Sequence, residues 1–180
     1  VGVDSVEGAA TLAGPFCDAG RSLDVLLKVD VGYGRVGVTP ERAVAVGQAV
    51  AELPGLRLRG VFTHAGHGYL AETKAGVDDI ARQEGERLAA AASDLRAAGL
   101  PIEDVSVGST PTAVQAMRVA AVTECRPGNY VFHDATQVAL GTCRLEDCAL
   151  TVVATVVSVP APDRAVVDAG SKTLSSDPLR

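Results

Sequence analysis

The sequence predicts an α/β fold, a (β/α)8 TIM-type barrel that is incomplete in this chain and is followed by the start of a mainly β C-terminal domain. Short apolar segments alternate with longer helical segments through residues 1–147, which predicts parallel strands with right-handed crossovers. Each apolar segment ends in a loop of small polar residues, as barrel strands do at their carboxyl ends. From residue 148 the chain becomes β-branched around a proline-rich turn, so residues 148–180 are assigned to the second domain.

The predicted strands are runs of apolar and β-branched residues, and they cover residues 1–4, 25–31, 58–63 and 102–107. Helices are predicted after residues that can cap free N–H groups, such as Ser5 and Thr39, and they end near glycine or proline. These helices cover residues 6–19, 40–53, 74–98 and 113–120. Pro15 predicts a kink or break in the first of them. Strands predicted at 150–159 and 164–168 form a hairpin.

Composition limits the partners of this protein. A net charge of −6 and a pI near 5.0 are unfavourable for binding nucleic acid or an anionic membrane surface, so we expect neither as a partner. The four cysteines lack zinc-ribbon spacing, and we interpret them as reduced thiols of a cytoplasmic protein. The chain opens on Val1 in strand-like sequence without an initiator methionine. We therefore expect an excerpt of a longer soluble protein.

A lone cation lies among three glycines after the strand predicted at 25–31. Gly32, Gly34 and Gly37 flank Arg35 in this segment. Glycines let a backbone turn sharply or approach a ligand closely, and barrel enzymes place their chemistry at the carboxyl ends of strands. The segment indicates either a binding loop with Arg35 as its cation or an ordinary strand–turn–helix joint with a solvated arginine.

Two further glycine loops indicate a phosphate site. Residues 108–112, Gly-Ser-Thr-Pro-Thr, lie between a predicted strand and helix, where N–H groups and small hydroxyls bind anions. The segment is not a Walker loop, because no Gly-Lys-Ser/Thr follows. Residues 126–130, Arg-Pro-Gly-Asn-Tyr, form a second glycine turn that could close the same site. The alternative for residues 108–112 is an ordinary helix cap by serine or threonine.

Two histidines and a tyrosine follow the strand predicted at 58–63. His64 and His67 are three residues apart and could bind a metal, but a loop fixes no ligand geometry and no third ligand is nearby in the sequence. A histidine that stacks on a planar cofactor is the favoured interpretation. Tyr69 could supply a phenol as an acid–base group or a phosphate contact.

The remaining acidic residues carry no evident function. Asp30 and Asp134 are isolated carboxylates without a recognisable partner. A solvated helix face is the interpretation of four residues of the long helix, Asp78, Asp79, Glu84 and Glu86. Taken together, the loops suit an aromatic phosphate cofactor that lies across a barrel mouth. No Ser-His-Asp pattern, pair of catalytic carboxylates or dinucleotide fingerprint competes with this interpretation.

Residues 28–37, Lys-Val-Asp-Val-Gly-Tyr-Gly-Arg-Val-Gly, resemble the Lys-Val-Asp-Thr-Gly-Met-x-Arg-Leu-Gly element of alanine racemase-type barrels, the fold type III enzymes that bind pyridoxal 5'-phosphate. Four other segments are similar to one branch of these enzymes, the D-threonine aldolase and D-serine dehydratase-like family. They are His-Ala-Gly-His-Gly-Tyr at 64–69, Val-Gly-Ser-Thr-Pro-Thr at 107–112, Arg-Pro-Gly-Asn-Tyr-Val-Phe-x-Asp at 126–134, and Asp-Ala-Gly-Ser-Lys-Thr-Leu-Ser at 168–175. The matches are in order and span nearly the whole chain.

The resemblance implies roles for specific residues. Tyr69, Arg35 and His64 are the implied catalytic residues, with Tyr69 on the substrate side and His64 beside the pyridine ring. Arg35 is the implied cation near the ring nitrogen, and Arg126 is its rival for that role. An arginine there keeps the ring unprotonated and weakens its capacity to accept electrons. The implied cofactor-binding residues are Arg35, His64, Ser109, Thr110, Arg126, Gly128, Asn129 and Tyr130.

The resemblance implies a lyase that uses pyridoxal 5'-phosphate to dehydrate β-hydroxy D-amino acids, as with D-serine, or to cleave them by a retro-aldol reaction, as with D-threonine. A divalent metal, Zn or Mn, is implied near the substrate hydroxyl. The Schiff-base lysine is expected before Val1 and the metal ligands after Arg180, so no metal ligand is assigned within this chain. We expect a cytoplasmic homodimer that acts on a small D-amino acid.

Three alternatives remain open from the sequence. An amino-acid racemase of the same fold would need an acid–base group on each face of the cofactor, and no second tyrosine motif for the other face is evident. A non-catalytic protein that binds pyridoxal phosphate would stop at the barrel, and the predicted hairpin after Cys148 disfavours it. A catalytically dead relative is the third alternative.

Overall fold

The computed structural model describes residues 1–175 and contains a five-stranded parallel sheet. The strands β1 to β5 lie side by side in chain order and pair only with parallel neighbours. Their bounds are Gly2–Val3, Leu23–Lys28, Leu56–Phe62, Asp104–Val107 and Glu124–Cys125. The predicted α/β class with parallel strands is therefore confirmed. Within residues 1–175, β1 and β5 are the two edges of this sheet and do not pair with each other, so the sheet is open.

Helices separate the strands as the alternating pattern predicts. The α-helices α1 to α5 cover Val6–Asp18, Pro40–Ala51, Lys74–Ala97, Ala113–Ala116 and Ala135–Ala139. Ser5 caps α1 by accepting a hydrogen bond from the Gly8 N–H, and Pro40 occupies the first turn of α2. The break that the sequence allowed at Pro15 is absent, because α1 continues through it to Asp18. One proline late in a helix removes a single N–H donor, and the flanking turns keep their bonds.

Apolar residues of the strands pack against those of the helices and form the core. Val25, Leu27, Val61, Val105 and Val107 in the sheet are fully buried, as is the α3 face that covers them. The buried face of α3 includes Val77, Ala81, Leu88, Ala92 and Leu95, of which Leu88, Ala92 and Leu95 belong to the same core cluster as the sheet residues. Residues buried on such a continuous apolar surface supply most of the free energy of folding. They also fix the strand ends that carry the candidate site.

A glycine sets the spacing between β3 and β4. The register of β2 against β3 shifts at Val25 and Leu26, which pair with Leu58 and Gly60. A β-carbon on Gly60 would lie 2.3 Å from the Asp104 carbonyl oxygen, so no larger residue fits without moving the neighbouring backbone. The close approach of these strands therefore depends on the absence of a side chain at this position.

The described part of the chain divides into two compact units, Val1–Gly128 and a second that begins at Asn129. The second unit contains α5, a short 3-10 helix at Leu145–Asp147, and an antiparallel hairpin of β6 (Val156–Ala161) and β7 (Arg164–Val167). The predicted hairpin is present, but its first strand begins at Val156 rather than at residue 150. No helix among residues 1–175 is long and apolar enough to cross a membrane.

Candidate functional site

The carboxyl end of β2 carries a glycine loop that one carboxylate organises. Asp30 accepts hydrogen bonds from the backbone N–H groups of Gly32, Tyr33 and Gly34 at 3.0, 2.9 and 2.9 Å. Partial burial raises the pKa of Asp30, but these three bonds outweigh burial and the net pKa lies below the usual range. The expectation that Asp30 is isolated is therefore wrong, since its partners are backbone groups that no side-chain pattern reveals.

Arg35 lies on this loop with its side chain exposed. Its guanidinium carbon is 5.1 Å from the centroid of the Tyr33 ring, which is within range for a cation–π contact. Arg35 also lines a cleft of about 270 Å³ together with Lys28 and Phe62 and with the end of β1. The glycine loop therefore presents a cation to a cleft at the carboxyl edge of the sheet. This is the placement expected for a binding loop.

Arg126 is held far more firmly than Arg35. Its guanidinium donates to the Thr63 carbonyl at 2.6 Å, to the Ser106 hydroxyl at 2.7 Å and to the Ser106 carbonyl at 3.2 Å. These acceptors come from the ends of β3 and β4, while Arg126 itself directly follows β5. Burial lowers the pKa of Arg126, and Glu124 and Glu84 oppose that shift. Three neighbouring strands thus fix one cation in place.

Lys28 is a buried cation at the end of β2, with only 7% of its surface exposed. Its ammonium nitrogen lies 4.6 Å from the Phe62 ring centroid, and the Arg126 guanidinium lies 5.1 Å from the same centroid. Burial lowers the pKa of Lys28 to about 8, and the positive charges of Arg126 and Arg35 lower it further in the same direction. Concentrated positive charge of this kind favours an anionic ligand.

Lys28 makes protein stability depend on pH above neutrality. The folded protein holds the pKa of Lys28 near 8, whereas an unfolded lysine titrates near 10.5, so the unfolded chain binds more protons between these values. The free energy of unfolding contributed by Lys28 therefore rises with pH through that window, by about 3 kcal/mol in total. Urea denaturation at several pH values should show this rise. We expect Lys28→Met to remove this rise, whereas Lys74→Met, at an exposed lysine, should retain it. If the free energy of unfolding rose equally with pH in the wild type and in Lys28→Met, the assignment to Lys28 would be contradicted.

The segment after β3 forms a 3-10 helix, Gly66–Leu70, that carries His67 and Tyr69. Just before it lies His64, whose ring is 5.9 Å from the Tyr33 ring in an edge-on arrangement. Tyr33 also stacks on His67 at 6.3 Å. A β-carbon on Gly66 would lie 2.5 Å from the Tyr33 ring, so glycine permits this contact. The three rings therefore form one aromatic cluster.

The histidines of this cluster favour the neutral form. Burial lowers the pKa of His64, and the charges of Arg35, Lys28 and Arg126 lower it further. Burial also lowers the pKa of His67, with Asp30 opposing the shift. A neutral imidazole can stack on the face of a planar ring without carrying a charge into the contact. Among residues 1–175, no group of three or more His, Cys, Asp or Glu side chains is arranged to hold a metal ion.

The loop after β4 presents two buried hydroxyls. Ser109 and Thr110 are 3% and 8% exposed, and neither hydroxyl has a hydrogen-bond partner among the described residues. Ser109 adopts φ +147, a region that non-glycine residues rarely occupy. Buried polar groups without partners are unfavourable by about 1–3 kcal/mol each, so such groups mark a site for a ligand. Two hydroxyls on a strained loop fit an incoming phosphate.

The alternative of an ordinary helix cap is not supported at this loop. Thr112 is the N-cap residue of α4, yet its side chain caps no N–H group. Instead its hydroxyl donates to Glu84 at 2.6 Å. The helix expected over residues 113–120 also ends early, at Ala116.

Glu84 is a component of the site that the sequence interpretation missed. The expected solvated face is wrong for this residue, because Glu84 is only 1% exposed. Its carboxylate accepts from the N–H groups of Ala65 and Gly108, both at 3.2 Å, in addition to Thr112. Burial raises the pKa of Glu84, and these three donors oppose the shift. The available signal was helical spacing, because Glu84 lies on the same face as the buried residues Val77, Ala81, Leu88 and Ala91.

Three other predicted residues are consecutive in the chain, where the first unit ends and the second begins. Gly128 ends the first unit and its backbone faces open space, with nothing within 4 Å of an added β-carbon. In the second unit, Asn129 donates to Asp134 at 2.7 Å, and Asp134 caps α5 through the Gln137 N–H. Asp134 is therefore not isolated, contrary to expectation. Tyr130 is 56% exposed on a short 3-10 helix, Asn129–Val131. The roles assigned to Gly128, Asn129 and Tyr130 stay predictions.

Comparison with curated proteins and solved structures identifies relatives of nearly the whole chain. The chain is 41% identical over 97% of its length to D-threo-3-hydroxyaspartate dehydratase of Delftia sp. (strain HT23), and it covers 47% of that protein. It is 35% identical over 88% of its length to D-serine dehydratase of Dictyostelium discoideum, covering 42% of that protein. The chain thus spans about half the length of the curated relatives it matches.

Solved structures of relatives show the same architecture. The Delftia D-threo-3-hydroxyaspartate dehydratase superimposes with a TM-score of 0.84 at 41% identity, over 98% of this chain and 48% of the relative. The D-threonine aldolase from Filomicrobium marinum superimposes with a TM-score of 0.76 at 29% identity, over 97% of this chain and 48% of that structure. These likenesses confirm the family resemblance that the motifs indicate.

Two family models match separate parts of the chain. The model described as "Putative serine dehydratase domain" matches residues 149–180. The model described as "Alanine racemase, N-terminal domain" matches residues 1–136, which is most of the chain. This chain therefore belongs to the alanine racemase N-terminal domain family.

Proposed function

We propose that this chain forms the cofactor-binding part of a lyase that uses pyridoxal 5'-phosphate and acts on β-hydroxy D-amino acids. The observation that carries the proposal is the pair of buried, unpartnered hydroxyls on Ser109 and Thr110, which lie in a site that also contains a neutral histidine and fixed cations. The relatives that match nearly the whole chain are a dehydratase and aldolases of such substrates by name. Dehydration and aldol cleavage both remain within the proposal.

The residues present fit the proposed cofactor. Ser109 and Thr110 supply hydroxyl donors for its phosphate, and His64 supplies a flat neutral ring beside its pyridine. The family resemblance assigns Gly128, Asn129 and Tyr130 to phosphate binding, and we keep these roles as part of the proposal. Pyridoxal phosphate, when bound, supplies an electron sink for the bonds at the substrate α-carbon.

Between the two arginines, Arg126 is the better supported cation for the ring nitrogen. Its guanidinium is fixed by three hydrogen bonds, and a permanently charged donor in a fixed place keeps a facing nitrogen unprotonated. Arg35 is exposed on a glycine loop and lines the cleft with Lys28. These two cations suit the carboxylate of an amino-acid substrate, and Tyr69 would move a proton on the same side.

Other parts of the proposal lie outside this chain. The lysine that anchors the cofactor and the ligands of a divalent Zn or Mn ion are assigned to the rest of a longer protein, as the 47% coverage of the Delftia relative supports. A metal at the substrate hydroxyl would polarise that oxygen, which would favour its departure in dehydration or the loss of its proton in aldol cleavage. We also propose that residues 1–147 form the barrel domain, that residues 148–180 begin a β domain, and that the protein is a cytoplasmic homodimer.

Borohydride reduction of the full-length protein with pyridoxal phosphate, followed by mass-spectrometric mapping of the labelled lysine, tests this proposal. We expect the label outside residues 1–180. Product analysis with D-serine, D-threonine and D-threo-3-hydroxyaspartate then separates the two reactions. Dehydration followed by hydrolysis releases ammonia and an oxo acid, whereas aldol cleavage releases glycine and an aldehyde. A label on Lys28 or Lys172 would overturn the site assignment. Labelling without turnover of any of the three substrates would indicate a non-catalytic binding protein.

A further inference from the structure

Glu84 joins two loops that are separate in sequence. One loop follows β3 and begins with His64 and Ala65, and the other follows β4 and contains Gly108 and Ser109. The Glu84 Oε1 atom accepts from the N–H of Ala65 and from the N–H of Gly108, both at 3.2 Å. Ala65 directly follows His64, and Gly108 directly precedes Ser109. A single carboxylate oxygen therefore contacts the backbone beside both groups that the proposed cofactor needs.

The second carboxylate oxygen extends this link to a third position. Glu84 Oε2 accepts from the Thr112 hydroxyl at 2.6 Å, which places Glu84 beneath the whole turn from Gly108 to the start of α4. The Ala65 N–H, the Gly108 N–H and the Thr112 hydroxyl all donate hydrogen bonds to Glu84, so its carboxylate acts as the acceptor in each. Lys28, Arg126 and Cys125 are titratable groups that interact electrostatically with the Glu84 carboxyl group. Hydrogen bonds to a charged acceptor of this kind are stronger than those between neutral groups.

Strain in the adjacent loop explains why such a link is needed. Ser109 has φ +147, a backbone conformation that persists only where the surroundings hold it. The bond from the Gly108 N–H to Glu84 fixes the residue immediately before Ser109. Glu84 itself lies on the buried face of α3 and is 1% exposed, which limits its movement. The helix therefore acts as a rigid support for both loops.

We propose that Glu84 is a positioning residue that holds the His64 loop and the Ser109–Thr110 loop in one fixed arrangement, so that the ring and the phosphate of the cofactor are bound together. This inference rests on the proposed use of pyridoxal phosphate. Glu84 touches neither the cofactor nor the substrate in this assignment. Its effect passes through the backbone of the two loops.

Three variants of the full-length protein test the inference. Glu84→Ala removes all three bonds, and Glu84→Gln keeps an amide oxygen that can accept from both N–H groups. Leu88→Ala is the matched control, because it removes a fully buried side chain from the same helix without any polar contact. Hydrogen–deuterium exchange by mass spectrometry, without added cofactor, reports on peptides that cover residues 61–70 and 105–113. Fluorescence titration gives the dissociation constants for pyridoxal 5'-phosphate and for pyridoxal.

We expect Glu84→Ala to accelerate exchange in both peptides and to weaken binding of pyridoxal 5'-phosphate by roughly tenfold or more, as for a lost charge-assisted hydrogen bond. Glu84→Gln should restore both readouts to within about threefold of the wild type, because the amide oxygen retains the geometry. Leu88→Ala should not accelerate exchange in the two loop peptides more than it does in the peptides of α3. The inference would be overturned if Glu84→Ala exchanged as slowly as the wild type in these peptides. It would also be overturned if Leu88→Ala accelerated their exchange as much as Glu84→Ala does.

The two readouts separate failure of this inference from failure of the proposed function. If the wild-type protein binds no pyridoxal 5'-phosphate, the proposed function is overturned, and the exchange data alone then decide whether Glu84 couples the two loops. If the wild type binds the cofactor and Glu84→Ala binds it equally well, the proposed function stands and the positioning role of Glu84 is overturned.

Discussion

Replacing both loop hydroxyls, with Ser109→Ala and Thr110→Val together, is expected to weaken binding of pyridoxal 5'-phosphate by about a hundredfold or more. Each hydroxyl would lose a hydrogen bond to a charged phosphate, worth about 1.5–3 kcal/mol. Fluorescence titration of the full-length protein measures this loss. Binding of pyridoxal, which lacks the phosphate, should change by less than about threefold, since the ring contacts remain.

The same double variant should fold at least as stably as the wild type. Both hydroxyls are buried without a partner among the described residues, so their removal relieves a desolvation penalty of about 1–3 kcal/mol each. Thr11→Val is a matched control, because its hydroxyl donates to the Gly8 carbonyl at 2.7 Å on a remote helix. The control should bind the cofactor as the wild type does. An equal loss of affinity for pyridoxal and pyridoxal 5'-phosphate in the double variant would contradict the phosphate assignment.

Gly60→Ala is expected to lower the free energy of unfolding by about 3 kcal/mol, a large fraction of the stability of a typical domain. The added β-carbon would lie 2.3 Å from the Asp104 carbonyl oxygen, which is backbone and cannot move aside alone. Strands β3 and β4 would therefore separate. Urea denaturation followed by circular dichroism measures the loss.

Gly14→Ala is the matched control for this prediction. Gly14 lies in α1 with nothing within 4 Å of an added β-carbon, so alanine should stabilise the helix by about 0.5–1 kcal/mol. The strand variant should also bind cofactor more weakly, since Thr63 and Ser106 at the ends of β3 and β4 anchor Arg126. Equal stability of Gly60→Ala and the wild type would show that the two strands tolerate a wider spacing.

Local signals in the sequence were sufficient for the regular elements. Ser5 and Thr39 mark the starts of α1 and α2, and both helices end within two residues of the predicted position. The break allowed at Pro15 is absent because proline weakens a helix only locally, whereas packing of α1 against the sheet holds it intact. Helix propensity contributes little to the free energy of folding, and burial of the apolar face of a helix contributes more.

Residue types and the family resemblance together predicted which side chains belong to the candidate site. The residues that lie near the strand ends of the first unit include Arg35, His64, Ser109, Thr110 and Arg126, all of which carry a group suited to a phosphate cofactor. The partners of Asp30 and the burial of Glu84 were not predicted. Backbone N–H groups are identical at every position, so no side-chain pattern shows which of them converge on a carboxylate.

By itself, the sequence determined the alternation of parallel strands and helices, the family, and the loops that carry polar groups after each strand. Those features depend on residues that are neighbours along the chain, which periodicity and motifs record directly. Only the tertiary structure decided that Arg126 is fixed by three acceptors, that Lys28 is buried beside Phe62, and that Glu84 joins the two loops. These depend on distances between segments far apart in sequence, and such distances are set by the packing of the whole sheet and its helices.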